Sequence, residues 1–426
     1  MNRKITLIAL AIFVASGILF AQDEQRQVEA QKPTPELERK PFQLTFMFPP
    51  LSTNWVQNSK TINSVSLNLF VGNAGGVDGV ELGGFINTIN YHVKGFQGAG
   101  FGNVAGRSVD GAQLAGFFNI NGTDTRYLQG SGFLNISGGS FEGAQLTGFM
   151  NVVGRDARGF QGAGFGNISG EQIHGAQAAG FFNVAGKYSR GAQLAGFLNL
   201  AARGRTNAQL AGFFNYGEII SGTQMAGFCN VGGHVKGLQM AGFLNVADSL
   251  DGIPIGLINV VVKNGYRKFE FSVSESQYIN FSYRMGVRKF YNIYSFSNPA
   301  GPGSRWLFGF GLGGELDMNE KVMMNLEAVV NQELWIAEPA VTRFLHIDRL
   351  NLLNQFRVLF AFNPSERVSL FVGPTFNVAV AESNPDIGYL SWQEIGPNWA
   401  FFNKTYNNVA RTNVKMWIGI MGGVRL

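Results

Sequence analysis

The chain has 426 residues, a formal net charge of +5 and one cysteine, Cys229. Its 33 basic and 28 acidic side chains are scattered without a basic stripe, which argues against a nucleic-acid-binding protein. A single cysteine excludes an intrachain disulfide framework and a thiolate metal site. The apolar share of 45% is too high for a disordered low-complexity protein.

The amino terminus has the pattern of an export signal. Arg3 and Lys4 precede the apolar run from Ile5 to Phe20, and Ala21 is a small residue suited to cleavage. The run is shorter than the roughly 20 residues of a membrane-spanning helix, so residues 1–21 are predicted to be a signal peptide. Residues 22–41, rich in Gln, Glu and Pro, are predicted to be a flexible linker. An exported chain without a later apolar helix could enter a membrane only by β-strands.

Residues 42–78 alternate in polarity and are predicted to hold the leading strands, and residues 79–262 form a repeat zone. GAQLAGFFN (111–119) and GAQAAGFFN (175–183) are clear copies of its phrase. Neighbouring closing asparagines, such as Asn103 and Asn119, differ by 16 in number, and about twelve copies of 14–16 residues follow one another. Helical repeats need roughly 33 residues or more, so this period predicts paired or stacked β elements.

A two-residue period divides the phrase into two faces. Leu114 and Phe118 lie on a face that is apolar in nearly every copy but varies in size, whereas Gln113, Phe117 and Asn119 lie on a face that barely changes. A face that requires only apolarity is what lipid accepts, and a constant face is expected to pack against protein. The amides are predicted to hold strands together, because buried amides need hydrogen-bond partners. These structural amides are Gln97, Asn103, Gln113, Asn119, Gln145, Asn151, Gln161, Asn167, Gln177, Asn183, Gln193 and Asn199.

Residues 263–426 continue as amphipathic strands, interrupted by long loops at 334–349 and 382–412. Strands of about 10 residues with one wholly apolar face are typical of transmembrane β-strands, which predicts a barrel. Polar residues opposite the apolar face are the candidates for the barrel interior. They are Arg284, Arg288, Glu315, Glu327, Arg357, Lys415 and Arg425.

The export signal, the amphipathic strands and the apolar last strand ending at Leu426 resemble a Gram-negative outer-membrane β-barrel protein. The G-x-Q-x-x-G-x-x-N phrase is similar to that of a family of bacterial surface-repeat proteins. The first resemblance implies localisation in the outer membrane. Neither resemblance implies a ligand, a cofactor or a functional residue.

Two all-β architectures fit the repeats. In the first, each copy is one antiparallel strand, and the whole chain forms a transmembrane barrel of roughly 20–22 strands, within the range of known barrels. In the second, each copy is one coil of a parallel β-solenoid, which is joined to a smaller C-terminal barrel. The first architecture is preferred, because lipid would explain a face that needs only apolarity.

The sequence contains no recognisable catalytic frame, neither G-x-S-x-G nor H-E-x-x-H. His92, His174 and His234 lie in turns between repeats, where solvated residues are expected rather than metal ligands. We therefore expect no enzyme, no cofactor and no metal. The main hypothesis is a passive, porin-like channel or structural pore. The alternative is a surface-exposed solenoid for binding or adhesion, anchored by a smaller barrel. The expected partners are outer-membrane lipid and small solutes or surface ligands, not nucleic acid, and the oligomeric state stays open.

Overall fold

A computed structural model describes residues 36–47, 51–299, 306–319, 321–334, 350–364, 368–382, 395–406 and 411–426. The predicted signal peptide, most of the predicted linker and much of the two predicted loops lie outside the described residues. The described chain is almost entirely β and divides into two units, Met1–Lys236 and Gly237–Leu426. No helix in the described part is both long enough and apolar enough to span a membrane.

The first unit contains one 3-10 helix, Trp55–Lys60, and short strands that alternate with bends. Its strands are β1 (Glu38–Met47), β2 (Leu51–Ser52), β3 (Thr61–Asn68), β4 (Val71–Ala74), β5 (Gly76–Gly83), β6 (Ile86–Ile89), β7 (Val93–Ala99), β8 (Gly102–Ala105), β9 (Val109–Ala115), β10 (Phe118–Asn121), β11 (Thr125–Ser131), β12 (Leu134–Ser137), β13 (Phe141–Thr147), β14 (Met150–Val153), β15 (Ala157–Ala163), β16 (Gly166–Ser169), β17 (Ile173–Ala179), β18 (Phe182–Ala185), β19 (Ser189–Ala195), β20 (Leu198–Ala211) and β21 (Phe214–Ala226).

Strand β22 (Cys229–Ala241) runs from the first unit into the second. The second unit continues with β23 (Leu244–Ile255), β24 (Ile258–Val261), β25 (Tyr266–Ser274), β26 (Gln277–Val287), β27 (Phe290–Pro299), β28 (Trp306–Asp317), β29 (Val322–Leu334), β30 (Asn351–Phe362), β31 (Ser369–Glu382), β32 (Phe402–Tyr406) and β33 (Thr412–Arg425).

The repeats form a parallel β-solenoid of about 12 turns. Each sixteen-residue coil supplies a longer strand and a shorter one, as β9 and β10 do. Like residues pair in register between coils: Gln113 lies beside Gln97 and Gln129, and Asn119 beside Asn103. The second predicted architecture is thereby confirmed. The architecture preferred from the sequence, in which the repeats are antiparallel strands of one barrel of 20–22 strands, is wrong. It would place Asn119 opposite Gln129, whereas Asn119 pairs with Asn135 in a parallel register.

A bend at Gly116 and Phe117 divides each copy into its two strands. A β-carbon at Gly116 would collide with the carbonyl oxygen of Gly100 in the preceding coil, so only glycine lets the backbones approach this closely. Because the bend breaks the alternation, Phe117 points outward and is 40% exposed, while Gln113 and Asn119 are buried. The sequence pattern predicted Phe117 on the packed face together with the amides, and the bend corrects this assignment.

The later strands form a closed antiparallel barrel of eight strands, β25–β31 and β33. Closure is made by β25 and β33, where Glu270 pairs with Arg425 and Phe271 with Val424. Strand β32 pairs with the first part of β33. The outer wall exposes large apolar side chains, such as Phe356. The interior of an eight-stranded barrel is just wide enough to be filled by side chains.

Candidate functional site

The glutamine row is a continuous chain of buried amides in the first unit. Gln113 donates from Nε2 to Oε1 of Gln97 at 2.6 Å, and Gln177 donates to Gln161 at 2.8 Å. Every link runs from one coil to the preceding coil, through to Gln224, which donates to Gln209 at 2.9 Å. Each amide is therefore both a donor and an acceptor within the solenoid core.

The asparagine row lies beside the glutamine row and runs the other way. Asn103 donates from Nδ2 to Oδ1 of Asn119 at 2.9 Å, toward the following coil. The same nitrogen donates to the backbone carbonyl of Leu114 at 2.9 Å. Because a carbonyl can only accept, that second bond fixes which amide atom is the nitrogen and so fixes the direction of the row. The two rows thus oppose each other in polarity.

The predicted structural amides all belong to these rows and are at most 2% exposed. The sequence pattern indicated their burial but not their polarity, since the direction of an amide chain leaves no periodic trace. Thus Gln97, Gln113, Gln145, Gln161, Gln177 and Gln193 donate toward the amino terminus, and Asn103, Asn119, Asn151, Asn167, Asn183 and Asn199 donate toward the carboxyl terminus.

Glu81 occupies the glutamine position of its coil, paired with Gln97, and ends the glutamine row. Its carboxylate is fully buried and accepts from Gln97 at 2.7 Å and from Asn68 at 2.9 Å. Burial raises the pKa of Glu81 to about 7, and the hydrogen bonds from Gln97, Asn68 and Ser66 act in the opposite direction. A carboxyl group suits this position because the last member of the row has only to accept.

The asparagine row also has a special first member. Gly72 pairs with Asn87 and so takes the asparagine position of its coil. A β-carbon at Gly72 would collide with the Asn68 side chain, which fills that space from strand β3. Asn68 donates both to Glu81 and, at 2.9 Å, to Asn87. Asn68 therefore starts the asparagine row and links it to the end of the glutamine row.

In the second unit, the asparagine row ends on the barrel wall. Asn245 donates to Asn259 at 2.8 Å, and Asn259 donates to Oδ1 of Asn292 in strand β27 at 3.0 Å. Asn292 in turn donates to the carbonyls of Gly256 and Leu257 at 2.6 and 2.8 Å. The last coil is thus held to the barrel by the same amide chemistry that joins the coils.

The phenylalanine edge is the row of rings that the bends project from the first unit. Neighbouring rings stack with centroids 4.7–5.2 Å apart, for example Phe117 on Phe133 at 4.7 Å and 3°. The rings remain partly exposed, 46% at Phe85 and 42% at Phe228. The members of this edge are Phe85, Phe101, Phe117, Phe133, Phe149, Phe165, Phe181, Phe197, Phe213 and Phe228.

The charged edge is the opposite side of the same coils, formed by the turns that join one coil to the next. Lys187 forms an ion pair with Glu171 at 2.9 Å, and the guanidinium of Arg107 lies over the Tyr91 ring. From Lys94 to Glu218, every charged side chain is at least five residues along the chain from the nearest ring of the phenylalanine edge. Each coil is therefore apolar at one end of its cross-section and charged at the other.

A cluster of five charged side chains lies in the barrel interior. Arg284 donates to Glu327 at 3.0 Å, and Arg425 donates to Glu270 at 2.6 Å. Arg284 also bridges to Glu270 at 2.8 Å, and Arg357 is buried beside Glu327. All five side chains are at most 1% exposed. Since an unpaired charge in such a place is strongly unfavourable, the shared carboxylates are what allow three arginines to be buried together.

The other three residues predicted for the barrel interior differ in burial. The Glu315 side chain is 10% exposed and accepts hydrogen bonds from Tyr266 and Asn325. Arg288 is 48% exposed and pairs with Glu315 at 2.9 Å and with Asp317. Lys415 is buried and donates to the carbonyl of Gly396 at 3.3 Å. Sequence reasoning missed Glu270, although its place between the outward-facing Phe269 and Phe271 carried the same alternation as the residues that were predicted.

The described histidines and the cysteine are not gathered into a site. His92 bonds Asp78 at 2.9 Å, His174 bonds Gln172 at 3.2 Å, and Cys229 is buried. Among the described residues, no three His, Cys, Asp or Glu side chains are grouped closely enough to hold a metal ion. His346 lies outside the described residues. Comparison with known protein families, curated proteins and solved structures finds no match to the chain.

Proposed function

We propose that the chain is an exported outer-membrane protein without catalytic activity, in which the barrel is a membrane anchor and the solenoid is a binding module. The signal peptide at residues 1–21 would direct export. The expected partners are outer-membrane lipid and a ligand of the solenoid. Adhesion is the second candidate, and it requires the solenoid on the outside of the cell.

The observation that carries this proposal is the contrast between the two faces of the barrel. The outer wall presents Phe271, Phe310 and Ile418, which are 36–62% exposed and need an apolar surrounding. The inner face carries the buried, paired charges of the cluster around Glu327. A barrel whose lumen is occupied by paired side chains supports an anchor rather than a passive channel.

The solenoid supports a binding role because each of the two amide rows in its interior is bonded within itself. Asn103 donates to Asn119 and Gln113 donates to Gln97, so the rows need no ligand to complete them. What the coils present outward is repetitive and of large extent, as in other solenoids that bind along their length. We therefore place the binding surface of this chain on the outside of the coils.

Two measurements test the proposal. The purified protein in a planar bilayer is expected to insert and give no current above that of the lipid alone, whereas stable conductance steps would restore the channel hypothesis. Membrane fractions washed with carbonate should retain the protein, and its release would contradict the anchor. A protein that is monodisperse in buffer without detergent would overturn both.

A further inference from the structure

The phenylalanine edge of the first unit is a long apolar surface that the core does not use. We propose that this edge inserts into the hydrocarbon of a phospholipid membrane while the charged edge of the same coils remains in water. The inference rests on the proposed function, because the barrel anchor is what brings the chain to a membrane. The proposed occupant of the edge is lipid, through its hydrocarbon chains.

The orientation of the rings selects hydrocarbon over a polar ligand. Phe133 and Phe149 are 4.7 Å apart and inclined by 2°, so each ring covers the face of its neighbour. What remains exposed is a row of ring edges carrying only C–H groups. A sugar-stacking platform needs exposed ring faces, and a polar ligand needs donors or acceptors, so this surface matches acyl chains.

The residues beside the edge indicate a fluid occupant. The position after each glutamine holds Leu114, Gly130, Leu146 and Gly162 in four successive coils. A large side chain therefore alternates with a position that has no side chain along this part of the surface. The two leucines are 42% and 44% exposed. A protein partner would have to match each of these steps, whereas lipid chains adapt to them. At this position the side chains vary in size but carry no polar group.

The separation of the charged residues from the phenylalanine rings would orient the coils on a membrane. Charged residues such as Arg155, Arg158 and Lys187 lie on the far side of the coil cross-section from the rings. Interfacial amphipathic helices bind membranes by the same division, with an apolar face in the acyl region and charged residues in water. Here the division is held by a rigid stack of strands.

The extent of the edge also favours a membrane. Ten rings with nine spacings of 4.7–5.2 Å make a continuous row of roughly 44 Å. Together with the leucines beside it, such a row is larger than the apolar patches that soluble monomers ordinarily leave open. Burial of partly exposed phenylalanines in lipid is favourable at each coil, so the contributions add along the row.

The test uses the full chain with Cys229→Ala as background and one new cysteine at a time, each labelled with an environment-sensitive fluorophore. Phe165→Cys reports on the phenylalanine edge, Arg155→Cys on the charged edge and Phe356→Cys on the outer wall of the barrel. The proteins are reconstituted into phosphatidylcholine–phosphatidylglycerol vesicles with or without nitroxides on the acyl chains. Aqueous iodide is the complementary quencher.

We expect the labels at 165 and 356 to shift to the blue and to lose most of their emission to the nitroxide lipids, and the label at 155 to be quenched by iodide. If the label at 165 behaves like that at 155 while the label at 356 is in lipid, the inference fails and the anchor stands. If the label at 356 is not in lipid, the proposed function itself fails. If the label at 165 escapes both quenchers and self-quenches at high protein density, a second copy covers the edge and the inference is overturned.

Discussion

Gln97 donates from Nε2 to Oε2 of Glu81 at 2.7 Å, so the glutamine row of the solenoid ends on a carboxyl group. Glu81 is fully buried, and its other oxygen accepts from Asn68 at 2.9 Å. Glu81 therefore ends the glutamine row and also accepts from Asn68, the first member of the asparagine row. Its protonation state should be visible in the stability of the whole stack.

Glu81 predicts that the stability of the solenoid depends on pH. The pKa of Glu81 is about 7 in the folded chain, compared with 4.5 for an ordinary glutamate, the value expected in the unfolded chain. Between these two pH values the folded chain therefore binds more protons than the unfolded chain. The stabilising contribution is therefore complete below pH 4.5 and is lost as the pH rises through 7, by at most about 3 kcal/mol. Glu81→Gln should remove this loss, as measured by denaturant unfolding across the pH range.

The matched control for this prediction is Glu142→Gln, which removes an exposed carboxylate from the charged edge. The dependence of its stability on pH should follow that of the wild-type protein, because Glu81 is present in both. If the difference between Glu81→Gln and wild-type stability were constant from pH 4 to 8, Glu81 would not be the titrating group.

The asparagine row predicts that a change of polarity is worse than a change of size. Asn135 donates to Asn151 at 3.0 Å and to the carbonyl of Leu146 at 2.7 Å. Asn135→Ala leaves buried groups without partners, at about 2–4 kcal/mol from the usual cost per group. Asn135→Asp adds a buried charge facing two acceptors and should destabilise more. Arg155→Ala on the charged edge should cost under about 1 kcal/mol, and an Asp variant as stable as wild type would contradict the row.

The ion cluster predicts a strong asymmetry between single and paired changes in the barrel. Glu327→Gln removes the carboxylate shared by Arg284 and Arg425 and should cost about 3–5 kcal/mol. Replacing Arg284 and Glu327 together by methionine should cost less than the single change. Arg288→Ala, at an exposed pair, should have an effect below about 1 kcal/mol. These effects are measured as the temperature at which the barrel loses its compact electrophoretic form in detergent. If the double replacement cost the sum of the two single replacements, Arg284 and Glu327 would not be coupled and the prediction would be wrong.

The strand directions of the barrel predict which rim faces the periplasm. Strand β25 begins and β33 ends at the rim where short turns join β26 to β27 and β28 to β29, and outer-membrane barrels keep short turns in the periplasm. In a Cys229→Ala background, Lys263→Cys should react with a membrane-impermeant maleimide only after the outer membrane is permeabilised. Tyr406→Cys, beside the start of β33, should react on intact cells. Labelling of residue 263 on intact cells would instead support surface display and adhesion.

The repeat phrase predicted β structure and buried amides because both follow from composition and period. It could not separate coils from antiparallel strands, since alternation within ten residues is the same in both. The discriminating signal was the invariant Gly116, which permits the bend against Gly100, and the identity of residues sixteen apart, which parallel pairing stacks like on like. The outward position of Phe117 could not be predicted from the alternation, because it depends on that bend.

The barrel was easier to predict from sequence than its interior. Outward residues such as Phe356 and Ile418 follow the two-residue period directly. Which inward charges meet depends on which strands are neighbours, and the closing pair of β25 and β33 joins Glu270 to Arg425 across 155 residues of chain. A sequence pattern read strand by strand has no means of identifying that pairing.

The opposed directions of the two amide rows leave the number of coils unconstrained. A tandem duplication of sixteen codons would add one forward step to one row and one backward step to the other, so their dipoles would continue to offset each other. Neither end would need redesign, because Asn68, Glu81 and Asn292 would still meet the same neighbours. Stacks of different height could thus arise in a lineage by simple gene slippage, with each intermediate already a folded protein.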